Sequence, residues 1–507
     1  MTLRMKLALY AFATGLLSAA AFEPIGWWPL IFVAFAVILE LLDRAEKLST
    51  AALIGFLFGF GQFVVSLNWI ATAFTFQSAM PASLGWVAVV LLSLYLAVFP
   101  AVATGLAWRA GRDNRIVLVL VLGGTWILTE WLRSTLFTGF PWNPAAAALV
   151  PTPLITIGSL TGTYGLSGLV VLLGGAVWLE YHKKWLPLVL IFGATVMLWL
   201  LPTSPVPDDP LTVMNVRVVQ PNIGQESKWR EGYDALATQR LKALSGAPSA
   251  EPRLLLWPEA AVTAPLQDSR PAAAASTSAE RQRAAASLGP NDRLITGGLA
   301  VQSADGNRVD TATNSVFAIA PGGMVIGRYD KAHLVPYGEY LPMRGLLSSI
   351  GLARLAPGDM DFAAGPGPRS IDLGGQWGKV GIQLCYEIIF SGRVVDQSNR
   401  PSFIFNPSND AWFGSWGPPQ HLAMARLRAA EEGLPVIRST PTGISAVIDA
   451  KGNVVEQVGW RKAGAIDAVI PPAAPTATPF ARFGNAIPVL MGLLLVIGGI
   501  VLGRRRR

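Results

Sequence analysis

At 507 residues the chain can hold two or three domains, and 52% hydrophobic residues with a mean hydropathy of +0.43 make it too apolar for an ordinary soluble protein. Charged residues are 14% of the chain, against roughly a quarter in soluble domains, so part of the apolar excess belongs in lipid. The net charge of +8 does not point to nucleic acid, because the basic residues flank apolar segments, where they act as topology signals and anionic-lipid contacts.

The first two hundred residues predict seven membrane spans, near 5–22, 27–42, 51–74, 82–108, 116–132, 161–180 and 185–201. Arg4 and Lys6 ahead of the first apolar run resemble a signal peptide, but the spans that follow favour a retained first helix. Ten basic residues fall within 1–204: Arg4, Lys6, Arg44, Lys47, Arg109, Arg112, Arg115, Arg133, Lys183 and Lys184. All except Arg133 lie at the N-terminus or in every second loop, which the positive-inside rule assigns to the cytoplasm. Seven spans then carry the chain across, and an eighth at 486–503, followed by Arg504 to Arg507, returns it. The acids Glu23 and Glu130 fall near the outer ends of their spans, where with Arg133 they are expected to dock the soluble region or hold a lipid headgroup.

Residues 210–478 differ in character, with ordinary charge density, Gly/Pro punctuation and short β-rich runs. Strands are predicted at 216–220, 254–257, 294–299, 315–320, 380–385, 403–406 and 436–439, and helices near 235–246, 278–288 and 419–432. Pro321-Gly322-Gly323 and the turn 449–453 mark hairpins, and the alternation of strands with helices suggests an α/β layered sandwich with mixed sheets. The expected division is therefore 1–204, a seven-helix membrane bundle; 205–480, an extracytoplasmic domain; and 481–507, a last membrane helix with a basic tail.

Three segments of that domain set an ionisable residue where an apolar strand or hairpin ends: Leu256-Trp257-Pro258-Glu259, Tyr329-Asp330-Lys331, and Leu384-Cys385-Tyr386-Glu387. Cys385 is the only cysteine, so no internal disulfide forms, and His182, His333 and His421 match no zinc spacing, so no metal is expected. No phosphate-binding glycine loop is present, and no cofactor is implied.

Trp257-Pro258-Glu259, then Tyr329-Asp330-Lys331 continuing through His333 to Gly338-Glu339-Tyr340, then Cys385-Tyr386-Glu387, in this order, resemble the Glu-Lys-Cys motifs of the carbon–nitrogen hydrolase (nitrilase) superfamily. Within it the chain is similar to the apolipoprotein N-acyltransferase family over nearly its whole length. That similarity includes Phe22-Glu23-Pro24, Glu130 to Arg133, Phe137 to Trp142, Asn406 to Gly414, Gln420-His421, Arg426 and Gly443 to Val447. One departure is Thr440-Pro441-Thr442, where members often carry Asn or Ala-Asn, which puts local loop contacts in doubt.

The resemblance implies about eight transmembrane helices with a nitrilase-like αββα sandwich. It also implies a bacterial inner-membrane enzyme, monomeric, with its catalytic domain on the periplasmic side. The implied reaction is acyl transfer from a membrane phospholipid, through a thioester on Cys385, to the N-terminal amine of a diacylglyceryl-cysteine apolipoprotein. Glu259 would be the general base and Lys331 the oxyanion stabiliser, with Glu339 and Glu387 orienting Lys331 or assisting proton transfer. Tyr386 is expected to line the acyl pocket, and Trp229 and Trp412 to face substrate. The apolar segment 346–355 and the aromatic loop 412–417 are expected to form a bilayer-touching lid. The rival readings are a membrane-anchored amidase with the same triad and a transporter, though no broken helices paired across repeats support the latter.

Overall fold

A computed structural model describes residues 2–77, 80–201, 213–225, 232–349, 351, 353–355 and 360–504. The N-terminal part is helical: α1 (Leu3–Ser18), α2 (Pro29–Asp43), α3 (Leu48–Ser66), α4 (Trp69–Ala73), α5 (Leu84–Gly111), α6 (Arg115–Arg133), α7 (Gly158–Tyr181) and α8 (Trp185–Leu200). Every predicted span is occupied by a helix. Five helices among the described residues are long and apolar enough to cross a membrane: α3, α5, α6, α7 with its preceding turn, and the C-terminal Ala486–Arg504. The predicted span at 51–74 starts earlier and breaks after Ser66, where Asn68 Nδ2 donates to the Val65 carbonyl (2.8 Å) and competes for the helical backbone. Helices α3 and α5 pack backbone to backbone. A Cβ on Gly55 would sit 2.4 Å from the Pro100 carbonyl oxygen, so only a missing side chain permits this approach.

Asn114 caps α6 by accepting from the Ile116 and Val117 amides. The same end of the bundle carries the Arg115–Asp43 (2.8 Å) and His182–Glu40 (3.0 Å) pairs, which bring together the loops where the basic residues concentrate. The opposite ends of α6 and α7 meet the second half of the chain.

That half comprises β1 (Asn215–Gln220), α9 (Tyr233–Ser245), β2 (Leu254–Leu256), β3 (Pro265–Asp268), α10 (Ala274–Ala285), β4 (Arg293–Gln302), β5 (Thr311–Ala320), β6 (Met324–Asp330) and α11 (Arg344–Ser349). It continues through β7 (Ser370–Asp372), β8 (Lys379–Ile382), β9 (Phe403–Pro407), α12 (Gly417–Glu432), β10 (Val436–Ser439), β11 (Ser445–Ile448), β12 (Val454–Val458), β13 (Gly464–Val469) and α13 (Pro479–Phe483). The last helix, α14 (Ala486–Arg504), returns to pack on α6 and α7.

Two mixed sheets form a sandwich. One runs β13-β1-β2-β4-β5-β6 with β3 beside β4, the other β12-β11-β10-β9-β8-β7. Val216, Val218, Leu254, Leu256, Val316 and Ala318 of the first face Val380, Ile382, Phe403, Phe405, Ile437 and Val447 of the second. The opposite face of the first sheet meets α9 and α10 through Leu255, Leu294, Phe317 and Leu241. The second sheet is covered by α12, whose Ala423, Leu427 and Ala430 share one continuous apolar core with Ile404, Val436 and the membrane helices. The result is an αββα sandwich seated on a helical bundle, with α12 buried between them.

Polar contacts lock this seat. Thr163 at the start of α7 donates from its amide and hydroxyl to Glu431 Oε1 of α12 (2.6 Å each). Trp142 Nε1 donates to Gln420 Oε1 (2.7 Å), and Gln420 Nε2 donates to the Glu23 carbonyl (3.0 Å). Glu130 and Arg133 are buried inside the protein rather than turned to lipid. Glu130 accepts from Trp126 Nε1 and the Ala145 amide, and Arg133 donates to the Trp142 carbonyl. They brace the loop that carries the docking residues, since a buried charge persists only with such partners.

Candidate active site

Strands β2, β4 and β6 run in one direction in the first sheet, and β8, β9 and β10 are parallel in the second. Ionisable groups emerge from their carboxyl ends, the usual place for a site in such sheets. Glu259 follows β2 after Trp257-Pro258, Lys331 follows β6 directly, and Cys385 follows β8 after Gln383-Leu384. Trp257 donates its amide to the Ile295 carbonyl (2.9 Å) and the Pro258 carbonyl accepts the Gly297 amide (3.2 Å), which keeps the segment along β4 up to Glu259. A Cβ on Gly297 of β4 would lie 2.6 Å from the Ala260 amide nitrogen and 2.7 Å from Glu259 Cα, so glycine is needed there for Glu259 to reach its position.

Lys331 is 1% exposed, with Nζ 2.9 Å from Glu339 Oε1 and 3.8 Å from Glu259 Oε1. Asn314 on β5 places one amide group between the two acids, donating to Glu259 Oε1 (2.8 Å) and Glu339 Oε1 (2.9 Å). Glu339 Oε2 accepts the Val335 amide (2.9 Å). Glu259 Oε2 is buried without a hydrogen-bond partner, and the nearby Cys385 thiol pulls the carboxyl slightly down toward its ordinary value. The three predicted residues are thus in one cluster.

Burial pushes the Glu259 carboxyl up, the Lys331 ammonium pulls it back, and Glu339 pushes it further up. Burial by itself would lower Lys331, but the carboxylates of Glu339 and Glu259 outweigh it and hold the ammonium well above its usual range. Burial and the Glu259 carboxylate raise the Cys385 thiol well above its ordinary value. At rest the cluster therefore favours a thiol on Cys385 and an ammonium on Lys331.

Cys385 has φ +53°, a left-handed conformation that a residue with Cβ adopts at a cost of about 1–3 kcal/mol. It opens a short turn, Cys385–Ile389, that lifts it off the strand end. Predicted as the last residue of a strand, Cys385 instead lies three residues beyond β8. Glu387 makes no hydrogen bond to Lys331. Its carboxylate accepts from Tyr329 Oη (2.9 Å to each oxygen) and the amides of Ala332 (2.7 Å), His333 (2.9 Å) and Leu384 (2.8 Å). It therefore ties the backbone after Lys331 to the backbone before Cys385.

Tyr386 is buried against Phe140, His333 and Phe390, and its hydroxyl donates to the Gly139 carbonyl (3.1 Å), so it faces the membrane bundle. Trp412 is half-buried with its ring 5.8 Å from Phe76, and Phe413 next to it packs on Trp69 (4.6 Å). The loop predicted as a lid is thus seated on the bundle. Trp229 lies outside the described residues, as does Ile350 of the other predicted lid. Within that segment α11 exposes Leu346 and its neighbour Met343. At the departure noted in the sequence, the loop still bonds: Ile223 donates to the Pro441 carbonyl (3.2 Å), Arg461 to that of Thr442 (2.8 Å), and Thr440 Oγ1 to Gln220 (3.0 Å).

Sequence reasoning missed Asn314 and Arg438, and gave no role to Tyr329 and Asp410, which lie within its quoted motifs. The available signal was polar side chains inside otherwise buried strands, as in Thr313-Asn314-Ser315, since such groups need partners. One group of metal-ligating type, Glu40, Asp43 and His182, lies at the far end of the bundle, but its atoms are already engaged by Arg44, Arg115 and Trp178.

Comparison with known proteins places this geometry. The sequence model described as the apolipoprotein N-acyltransferase N-terminal domain matches residues 14–176, and that described as carbon-nitrogen hydrolase matches residues 215–480. The chain belongs to the apolipoprotein N-acyltransferase family. An apolipoprotein N-acyltransferase of Rhodopseudomonas palustris is 35% identical to it, covering 99% of this chain and 96% of the relative. One of Bradyrhizobium diazoefficiens is 36% identical, covering 97% and 95%. Among solved structures, Saccharomyces cerevisiae Nit3, a member of branch 10 of the nitrilase superfamily, aligns with a TM-score of 0.36 at 17% identity, covering 53% of this chain and 93% of Nit3. The two matches divide the chain where the structure does, the first over the helical part and the second over the sandwich.

Proposed function

We propose that this protein transfers a fatty acyl chain from a membrane phospholipid, through a thioester on Cys385, to the N-terminal amine of a diacylglyceryl-cysteine apolipoprotein. The observation that carries the reading is Lys331, the one buried lysine among the described residues, held between Glu259 and Glu339 beside the only cysteine of the chain. In the first half-reaction Glu259 takes the thiol proton and the sulfur attacks the ester carbonyl carbon. The oxyanion is met by the Lys331 ammonium and the Tyr386 amide, an interaction whose loss typically costs about 3–4 kcal/mol. Collapse expels the lysophospholipid alkoxide, which takes the proton from Glu259. The acceptor amine then attacks the thioester and gives its proton to Glu259. Collapse releases the amide-linked product and a thiolate, and Glu259 reprotonates that thiolate.

On this reading residues 1–204 and 481–507 are the membrane portion, with eight spanning helices, and 205–480 the catalytic domain. The clustering of basic residues at the bundle end remote from the sandwich favours a periplasmic catalytic domain on the bacterial inner membrane. The enzyme is taken to act as a monomer. Glu339 fixes Lys331, Glu387 positions both strand ends, Tyr386 and Trp412 border the bundle side of the site, and Trp229 is assigned to substrate contact.

The test is incubation of the detergent-solubilised chain with phospholipid carrying labelled acyl chains. Wild type should accumulate a hydroxylamine-labile adduct on Cys385, then pass it to a diacylated lipopeptide. Full transfer by Cys385→Ala would overturn the mechanism, and release of free fatty acid without transfer would favour a hydrolase.

A further inference from the structure

Behind Cys385 lies a second set of buried polar groups for which the triad has no use. His421 and Asp410 are essentially without exposure, and His421 Nδ1 is 2.9 Å from Asp410 Oδ1. Arg438 Nη2 reaches Asp410 Oδ2 (2.5 Å) and His421 Nδ1 (2.9 Å), while its Nη1 donates to Ser408 and Asn406. The imidazole is enclosed by the rings of Trp142 (5.4 Å) and Phe413 (5.6 Å). Its Nε2 points at the nucleophile's own carbonyl oxygen, at 3.2 Å, and Asn406 Nδ2 approaches the same oxygen at 3.4 Å. A peptide oxygen can only accept, so Nε2 carries a proton.

The Cys385–Tyr386 peptide is trans, because Glu23–Pro24 is the only cis bond among the described residues. In a planar trans peptide the C=O and N–H point in opposite directions. Anchoring the carbonyl on the His421 side therefore turns the Tyr386 N–H toward the reacting side. That N–H opens a short turn, where amides lack intrahelical acceptors, and no acceptor meets it among the described residues. Hydrogen bonding to the carbonyl also polarises the amide and strengthens it as a donor.

We infer that His421, held by Arg438, which Asp410 binds in turn, is a positioning residue that pins the Cys385 carbonyl and so aims the Tyr386 amide at the oxyanion of each acyl-transfer step. This rests on Cys385 being the nucleophile. Alkylation of Cys385 by iodoacetamide needs the thiolate but forms no oxyanion, whereas acylation by phospholipid needs both. His421→Leu should slow thioester formation about 10- to 100-fold, less than outright loss of a donor, with the phospholipid KM unchanged and the alkylation rate within about twofold of wild type. His421→Gln, which keeps an N–H near the Nε2 position, should recover most of the rate. Asn406→Leu, which removes the second donor to the same oxygen, should shift the two rates in the same unequal way and serves if the His421→Leu chain does not fold. Acylation and alkylation falling together, or His421→Leu acylating at the wild-type rate, would overturn the inference. A wild-type chain that alkylates but never forms a thioester would instead defeat the nucleophile assignment.

Discussion

Glu387→Gln tests the link between the two strand ends, because it keeps the side chain's size and changes only its hydrogen-bonding pattern. The carboxylate accepts three backbone amides and one phenol, a set that requires two oxygens. Glutamine can turn its oxygen to Ala332 and His333, but its NH2 then meets the Leu384 amide, donor against donor. One buried donor left unpaired costs about 1–3 kcal/mol. The remaining bonds also lose their charge assistance, which makes such bonds roughly twice as strong as neutral ones. Opposing this, burial raises the Glu387 carboxyl despite its four donors, so a neutral amide is relieved of a desolvation cost. The two last effects offset each other, leaving about 1–3 kcal/mol of lost stability as the net expectation. The larger effect should fall on rate. Displacing Cys385 or Lys331 by about 1 Å costs on the order of 100-fold, so thioester formation should drop by at least about tenfold while Glu259, Lys331 and Cys385 all remain. Thermal unfolding in detergent and the rate of the hydroxylamine-labile adduct measure the two. A variant matching wild type in both would refute the view that Glu387 aligns the backbone.

Glu259→Gln should abolish thioester formation and also change the pH dependence of stability. Burial raises the Glu259 carboxyl in the folded chain, so the stability it contributes is present below its unfolded value and is lost as pH rises through the folded one. The glutamine variant should therefore unfold at a temperature equal to or above wild type at neutral pH, with the gap closing in acid; a gap that widens in acid contradicts the sign. Gly297→Ala places a methyl 2.6–2.9 Å from three backbone atoms around Glu259, and the forced shift should slow thioester formation about tenfold or more, which rate measurement checks. Thr163→Val removes the hydroxyl shared by Glu431 and Arg428 at the seat of the sandwich. It should cost about 1–3 kcal/mol in unfolding experiments and leave the alkylation rate of Cys385 unchanged.

The membrane helices were legible in the sequence because their signal is local: an apolar run of sufficient length can be buried only in lipid or in a large core. All eight predicted segments are helices, and the most displaced end, at Ser66, lies beside a side-chain contact of Asn68 with the helix backbone. Glu259, Lys331 and Cys385 were legible together, through the order of their motifs and the family resemblance this carries, since each local pattern taken singly is common. What such patterns could not convey is direction and partnership. Glu387 and Lys331 both looked like members of one polar cluster, yet the turn opened by Cys385 at φ +53° points Glu387 at backbone amides instead. Tyr386, expected to line the acyl pocket, also bonds through its hydroxyl to Gly139, a partner far away in sequence. Asn314 on β5 meets Glu259 and Glu339, and Asp410, His421 and Arg438 from three other elements meet one another, only because the parallel strands of two sheets end on one side. Along the chain each is one polar residue among many. The burial that obliges Asp410, His421 and Arg438 to pair exists only once α12 is pressed between the sandwich and the bundle.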